Sequence, residues 1–238
     1  MSPSKPRVPD GARAPASDPR SPSTQLRQHP ERGRHDRATI DAILDAGLVC
    51  HVGIAVDGQP LVIPMGYARD GDRLLLHGAT TSRLIEALAS GAACCLTVTH
   101  LDGLVLARSP LHHSMNYRSV MVQGRCHELT DPAEKQAALE RIVEQLVPGR
   151  GAEVRASTPT EVAATRVVAL PLGAASAKLR SGPPIDAARD IDPSLWAGVL
   201  PITLAVGNPI PAADLAPNLP APASATLTQA RFPAPPIA

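Results

Sequence analysis

The sequence predicts a mainly β protein with accessory helices, arranged as an antiparallel barrel rather than a parallel sheet. Short apolar runs rich in Val, Leu and Ile follow one another closely between Leu48 and Leu172. Tight-turn dipeptides such as Asp57-Gly58 and Asp102-Gly103 separate several of them, as hairpins require. Few segments have helical spacing, so long crossover connections between parallel strands are excluded.

Each element has its own signal. Asp36 to Gly47 reads as a helix, with Ile40, Ile43 and Leu44 on one face and Gly47 as the stop. LVCHVGIAV, Asp57-Gly58 and QPLVIPMGYA form a hairpin. Arg69 to Asp72 turns the chain into a strand at 73–77, and Leu84, Ile85 and Leu88 recur helically over 82–90. AACCLTVTH and LVLARS read as two strands parted by a turn at Leu101-Asp102-Gly103. After a loop at Pro110–His113 comes the long strand NYRSVMVQGRCHEL. Asp131-Pro132-Ala133-Glu134 opens a helix with cap, first-turn proline and capping-box glutamate, and Pro148-Gly149 ends it. Thr160 to Ala164 gives a helical turn, TRVVALPL a last strand, SAKLRSGPP a loop and WAGVLP a short extended edge.

Composition sets the boundaries. Of 26 prolines, 7 fall in residues 1–30 and 9 after Leu200. Such segments cannot bury enough apolar surface to offset the entropy of ordering them. The expectation is a disordered arm at 1–32, one domain at 33–203 and a disordered Pro/Ala-rich tail at 204–238. Aromatic content of 2% leaves a core of aliphatic side chains, with Tyr67, Tyr117 and Trp196 as the aromatics outside the tail. A net charge of +1 provides no pull toward nucleic acid or an acidic membrane. No apolar run reaches transmembrane length and the N-terminal arm lacks a signal-peptide core, so the expected location is the cytosol. Cys50, Cys94, Cys95 and Cys126 lie in strand-like runs without C-x-x-C spacing, which reads as reduced, buried thiols.

No P-loop, G-x-G-x-x-G or G-x-S-x-G pattern occurs. The chemistry-bearing stretch is LLLHGATTSRLIEAL, where a strand passes through Thr80, Thr81, Ser82 and Arg83 into a helix. Two roles fit. Thr80 or Thr81 can simply cap the helix while Arg83 is solvated, or hydroxyls and guanidinium together can seat a phosphate. Histidines cluster between His100 and His127 without metal-ligand spacing, and adjacent strand residues point to opposite faces, so no protein-built metal site is expected. A single axial histidine, His77 or His112, would suffice for haem. Arg118 and Ser119 face opposite sides of one strand, and Trp196 is either a core plug or a lid.

VIPMGYA, LLLHGATTSR, HHSMNYRSV, SAKLRSGPP and WAGVLP occur in this order, together with PGR. In that order they resemble the pyridoxamine 5'-phosphate oxidase-like superfamily, and within it a flavin-nucleotide-binding branch related to nitroimidazole-reductase-like proteins. The resemblance covers about residues 33 to 203. It implies a homodimer of six-stranded split β-barrels with FMN at the subunit interface. It places Val62, Pro64, Met65 and Tyr67 beside the isoalloxazine ring, with His77 and Gly78 on the next strand. Ser82 and Arg83 match the phosphate-binding pair, and Ser119 stands where the oxidase has a flavin-contacting glutamine. Lys178 and Arg180 lie nearby, and Trp196 matches a tryptophan reaching in from the partner subunit. On this match the phosphate role for Ser82 and Arg83 is preferred to simple capping.

The departures are informative. Leu84 replaces the lysine that follows Ser-Arg in the oxidase, and no R-x-H-D-R-type segment closes the chain, so pyridoxamine phosphate oxidation is not expected. The expected activity is an FMN-dependent oxidoreductase, moving electrons from a reduced nicotinamide or similar donor to a small organic acceptor. His77, His112 and Arg118 are the candidates for tuning the flavin or delivering protons. Alternatives are a non-catalytic flavin- or haem-binding module and a deazaflavin-dependent reductase.

Overall fold

The computed structural model describes residues 24, 27–216 and 218–233; most of the arm expected at 1–32 lies outside them. In chain order the first elements are β1 (Gly33–Arg34), α1 (Arg37–Ala46), β2 (Val49–Val56), β3 (Gln59–Gly66), β4 (Ala68–Asp70), β5 (Arg73–Ala79) and α2 (Arg83–Ala89). β6 (Ala93–Leu106), β7 (Ser114–Arg125), β8 (His127–Glu128), α3 (Pro132–Leu146) and α4 (Pro159–Ala164) follow. The last are β9 (Thr165–Pro171), β10 (Ala175–Arg180), β11 (Gly198–Pro201) and α5 (Ala223–Arg231).

The strands form two antiparallel sheets. One has the order β1-β10-β7-β6-β2-β3, with β11 added to the far end of β6; the other runs β4-β5-β9-β8. β3 meets β5 and β7 meets β9, and between these seams lies the main core. The fold is thus mainly β with accessory helices, an antiparallel split β-barrel. Seven strands have six or more residues, one beyond the six expected.

Period two explains which side chains are inside. Val52, Ile54, Leu74, Leu76, Leu96, Val98, Val120, Val122, Val168 and Leu170 fill the barrel, and Leu84, Ile85 and Leu88 of α2 plug one end. The alternate residues of the second sheet, Leu75, Val167 and Ala169, pack outward against Ala138 and Ile142 of α3. Tyr67 is fully buried in the main core, and its hydroxyl donates to the Leu44 carbonyl at the end of α1.

Three expectations are corrected. The turn expected at Leu101–Gly103 is a β-bulge inside a continuous β6, where the pairing skips Asp102. Strand β7 continues on both sides, and the Arg118 fork captures the bulged carboxylate at 2.9 and 2.8 Å. SAKLR lies in strand β10, not in a loop; its small residues gain their order from pairing with β7 and β1 rather than from intrinsic propensity. The stretch 204–238, read as a disordered tail, carries α5. Ser224 donates through its N–H and hydroxyl to Glu153, Arg231 donates to the Gln145 and Asp45 carbonyls, and Phe232 is buried. Proline content predicted disorder, but these few polar anchors hold a helix that buries little apolar area.

Candidate functional site

Ser82 caps α2, its hydroxyl accepting from the Ile85 N–H at 3.4 Å. The cap expected at Thr80 or Thr81 thus falls on Ser82, directly before the first helical residue, Arg83. The preceding strand can approach the helix because Gly78 lacks a side chain, and a Cβ there would lie 2.8 Å from Ile85 Cγ1. Gly78 is a packing requirement of the corner that aims Arg83. Arg83 makes no hydrogen bond or ion pair with any described residue, although fifteen ion pairs tie up other cationic side chains. It lines a cleft of about 540 Å³ with Asp57, Pro60, Leu61 and Glu86.

Pro60 also borders a second cleft of about 570 Å³ on the outer face of the large sheet. Its floor is a row of cross-strand neighbours, Val62, Gly53, Cys95 and Gln123, with Arg125 at one edge. Gly53 keeps the middle of the row open. Val62 is 62% exposed, and Pro64 lies on the same face two residues on. Met65 is on the other face, packed against the core, and Tyr67 lies wholly within it. Of the four residues expected beside a ring, alternation leaves Val62 and Pro64 outside.

Ser119 and Lys178 are direct cross-strand partners, and the Ser119 hydroxyl donates to the Lys178 carbonyl at 3.3 Å. Both share the outer face with Val62, but β10 and β3 are four strand steps apart, or about 19 Å. A single protomer does not bring them to one ring. Gln123 and Arg125 were not singled out in the sequence, though the period-two pattern from Ser119 through Met121 would have reached them.

His77 lies in a separate place. It lines a cavity of about 720 Å³ with Leu139, Ile142, Val143, Leu146 and Val154. Its Nδ1 is buried and has no hydrogen-bond partner, and burial pushes its pKa below the ordinary value, favouring neutral imidazole. Glu144 and Gly151 form part of the wall, and Glu144 accepts from the N–H groups of Gly149, in the PGR motif, and Gly151 at 2.8 and 3.0 Å. Arg155 and Glu161 stand at the rim as a two-bond pair, and the Arg155 fork with the Thr158 cap lowers the Glu161 carboxyl to about 2.

His112, Arg118 and Trp196 are elsewhere again. His112 Nδ1 shares a 2.6 Å hydrogen bond with the Ser109 hydroxyl, and Arg118 is committed to Asp102. Trp196 is 65% exposed, so it is no core plug. Among the described residues, no three His, Cys, Asp or Glu side chains are grouped to hold a metal ion.

Residues 36–179 match the family model described as pyridoxamine 5'-phosphate oxidase. The solved FAD and heme binding protein from Mycobacterium smegmatis is 39% identical with a TM-score of 0.81, over 83% of this chain and 97% of that one. The flavocytochrome Anf3 from Azotobacter vinelandii is also 39% identical, with a TM-score of 0.82 over 89% of this chain and 98% of its own. A putative 5-nitroimidazole antibiotic resistance protein from Bacteroides thetaiotaomicron is 26% identical, with a TM-score of 0.53 over 61% of this chain and 85% of its own. No curated protein matches the chain.

Proposed function

The chain belongs to the pyridoxamine 5'-phosphate oxidase-like family of split β-barrels, and from that membership we propose that it is a flavin-binding oxidoreductase acting as a homodimer. The observation that carries the proposal is the unpaired Arg83 guanidinium. It sits at a capped strand–helix corner, beside a cleft that continues onto the bare outer face of β3. Arg83 holds the flavin phosphate as a charge-assisted fork, with Ser82 fixing the corner. Val62 and Pro64 wall the ring. Ser119 and Lys178, three and four strand steps from β3 within one protomer, complete the site from the second subunit, and the exposed Trp196 joins them there. Exposed Val49, Val62 and Leu101 give the outer face the apolar surface that a subunit interface needs.

A bound flavin supplies electron transfer from a reduced nicotinamide or similar donor to a small organic acceptor. The residues around it bind, orient and exclude water. His112 and Arg118 already have internal partners and are not assigned proton delivery. FMN is the form the sequence pattern implies, and FAD is the form named for the Mycobacterium smegmatis relative; chromatography of the released cofactor distinguishes them. The free cysteines fit a reducing compartment, and the cytosol is the proposed location. No helix among the described residues is long and apolar enough to cross a membrane.

A second reading concerns haem. Both relatives at 39% identity are named for heme or as a flavocytochrome, and His77 offers a neutral imidazole at a cavity lined largely by apolar side chains of α3. His77 is the proposed axial ligand there. The purified protein is expected to show flavin absorption, together with a Soret band once haem is supplied. His77→Ala is expected to lose the Soret band and keep the flavin, and Arg83→Ala to do the reverse. Flavin binding unchanged in Arg83→Ala overturns the phosphate assignment. Bound flavin that no reductant reduces would make the protein a binding module instead of an enzyme.

A further inference from the structure

The most specific stretches of the sequence, LARSPLHHSMNY, KLRSGPPID and WAGVLP, are not absorbed by the flavin cleft. They meet at the far end of the β6–β7 hairpin. Between β10 and β11 the chain runs through residues 181–197 with no strand or α-helix and only one 3-10 turn, and the hairpin holds this strap at successive points. Asn116 donates to the Gly182 carbonyl at 3.1 Å, and Arg180 donates to the Pro183 carbonyl at 3.2 Å. Asp186 accepts from the Arg108 N–H at 2.8 Å and from its guanidinium at 2.9 Å, with its side chain only 3% exposed. Arg108 Nε reaches on to the Asp192 carbonyl at 3.1 Å, and His112 faces Asp190 at 3.8 Å. The Asp192 carboxylate accepts from the N–H and hydroxyl of Ser194, tightening the last turn before Trp196.

The end of the strap is equally defined. Gly198 pairs with Leu106, two residues before Arg108, which returns the strap to the strand that anchors it. The six-membered ring of the indole lies against Gly198, where a Cβ would stand 2.9 Å from two of its carbons. Trp196 is thus seated on backbone while most of its surface faces outward.

We propose that Arg108 and Asp186, with Gly198 as the seat, form the joint that aims Trp196, and that they are positioning residues for the flavin site. This rests on the reading that Trp196 reaches the flavin of the second subunit. An exposed aromatic contributes to binding only if its orientation is set beforehand, because ordering a free strap at the moment of contact would offset the gain. A carboxylate held at one oxygen by a guanidinium and at the other by a backbone N–H suits this, since removing the guanidinium leaves a shielded charge without its counter-ion.

Trp196 is the sole tryptophan, so indole fluorescence reports this site alone. The test uses the full-length flavin-loaded protein and its flavin-stripped form. Asp186→Asn, Arg108→Lys and Gly198→Ala are each expected to lower indole anisotropy in the stripped protein, raise quenching by iodide, and weaken flavin affinity about tenfold. Trp196→Phe is expected to weaken flavin comparably. Wild-type anisotropy and quenching in Arg108→Lys and Gly198→Ala, which keep charge or fold, overturn the joint even if Asp186→Asn fails to fold. Wild-type flavin affinity in Trp196→Phe, with anisotropy still lowered in the joint variants, overturns the flavin reading and leaves the joint standing.

Discussion

Arg83 is an arginine without a partner in a chain whose other guanidinium groups are mostly claimed. Replacing it with alanine removes a charge-assisted contact of about 2 kcal/mol, so flavin affinity is expected to fall roughly 10- to 100-fold in a titration, with the dimer intact by light scattering. Arg83→Lys keeps the charge without the fork and is expected to fall between. His77 has a pH signature. Its folded pKa is lower than its unfolded value because burial disfavours the cation. The unfolded chain therefore binds more protons between the two values, and stability drops as pH falls from about 6.5 toward the folded pKa. His77→Phe is expected to flatten that part of a Tm-against-pH curve. A similar acid slope in the variant would assign the loss to other groups. Burial likewise raises the Cys50 thiol to about 12, so it should resist alkylation in the native protein. At this scale the sequence was legible where chemistry is local, as in the hydroxyl-capped start of α2, although the cap is Ser82 and not Thr80 or Thr81. It was not legible for Tyr67, whose neighbours in VIPMGYA suggest the ring-facing strand; that strand ends at Gly66, and Tyr67 turns into the core.

At the level of elements, turn chemistry and caps read correctly because they depend on a few adjacent residues. Asp57-Gly58 makes its hairpin, and Asp131 accepts from the Glu134 N–H that its position predicts; Asp36 and Thr158 cap α1 and α4 in the same way, though neither was singled out in the sequence. The capping-box role read for Glu134 is shared out differently, since its carboxylate pairs with Arg73 on β5. The misread elements owe their conformation to partners remote in sequence. β10 depends on β7, and the bulge in β6 on Arg118. The corner between β5 and α2 supplies the matching prediction. Gly78→Ala forces a methyl group against Ile85 and is expected to cost about 1–3 kcal/mol. Because the corner also aims Arg83, a drop in Tm should come with weaker flavin binding. Lower stability with unchanged flavin affinity would separate the corner from the phosphate site.

For the whole molecule, the barrel was legible from periodicity, and the site was not, because its parts face different directions in one protomer. Val62 and Lys178 lie on one face but far apart, His77 opens on the opposite side of the second sheet, and Trp196 stands out on the hairpin. Alternation along each strand predicts which side a residue takes, and only the order of strands sets the distance between residues. The C-terminal region likewise needs the assembled fold to be understood. Removing residues 204–238 strips Arg231 from two carbonyl ends and exposes the surface under Phe232. The expected outcome is a loss of about 2 kcal/mol or more, read as a Tm several degrees lower by calorimetry. An unchanged Tm would mean that α5 adds no net stability.

The reach of Arg231 also has a consequence for how the protein is made. Its guanidinium closes off the carboxyl end of α1 at Asp45, 186 residues earlier in the chain. During synthesis the first helix emerges long before this cation does, and Gln145 arrives in between to bind the same turn. Helix α1 therefore waits for two later instalments, and synthesis that stalls short of Arg231 leaves its last turn unsealed.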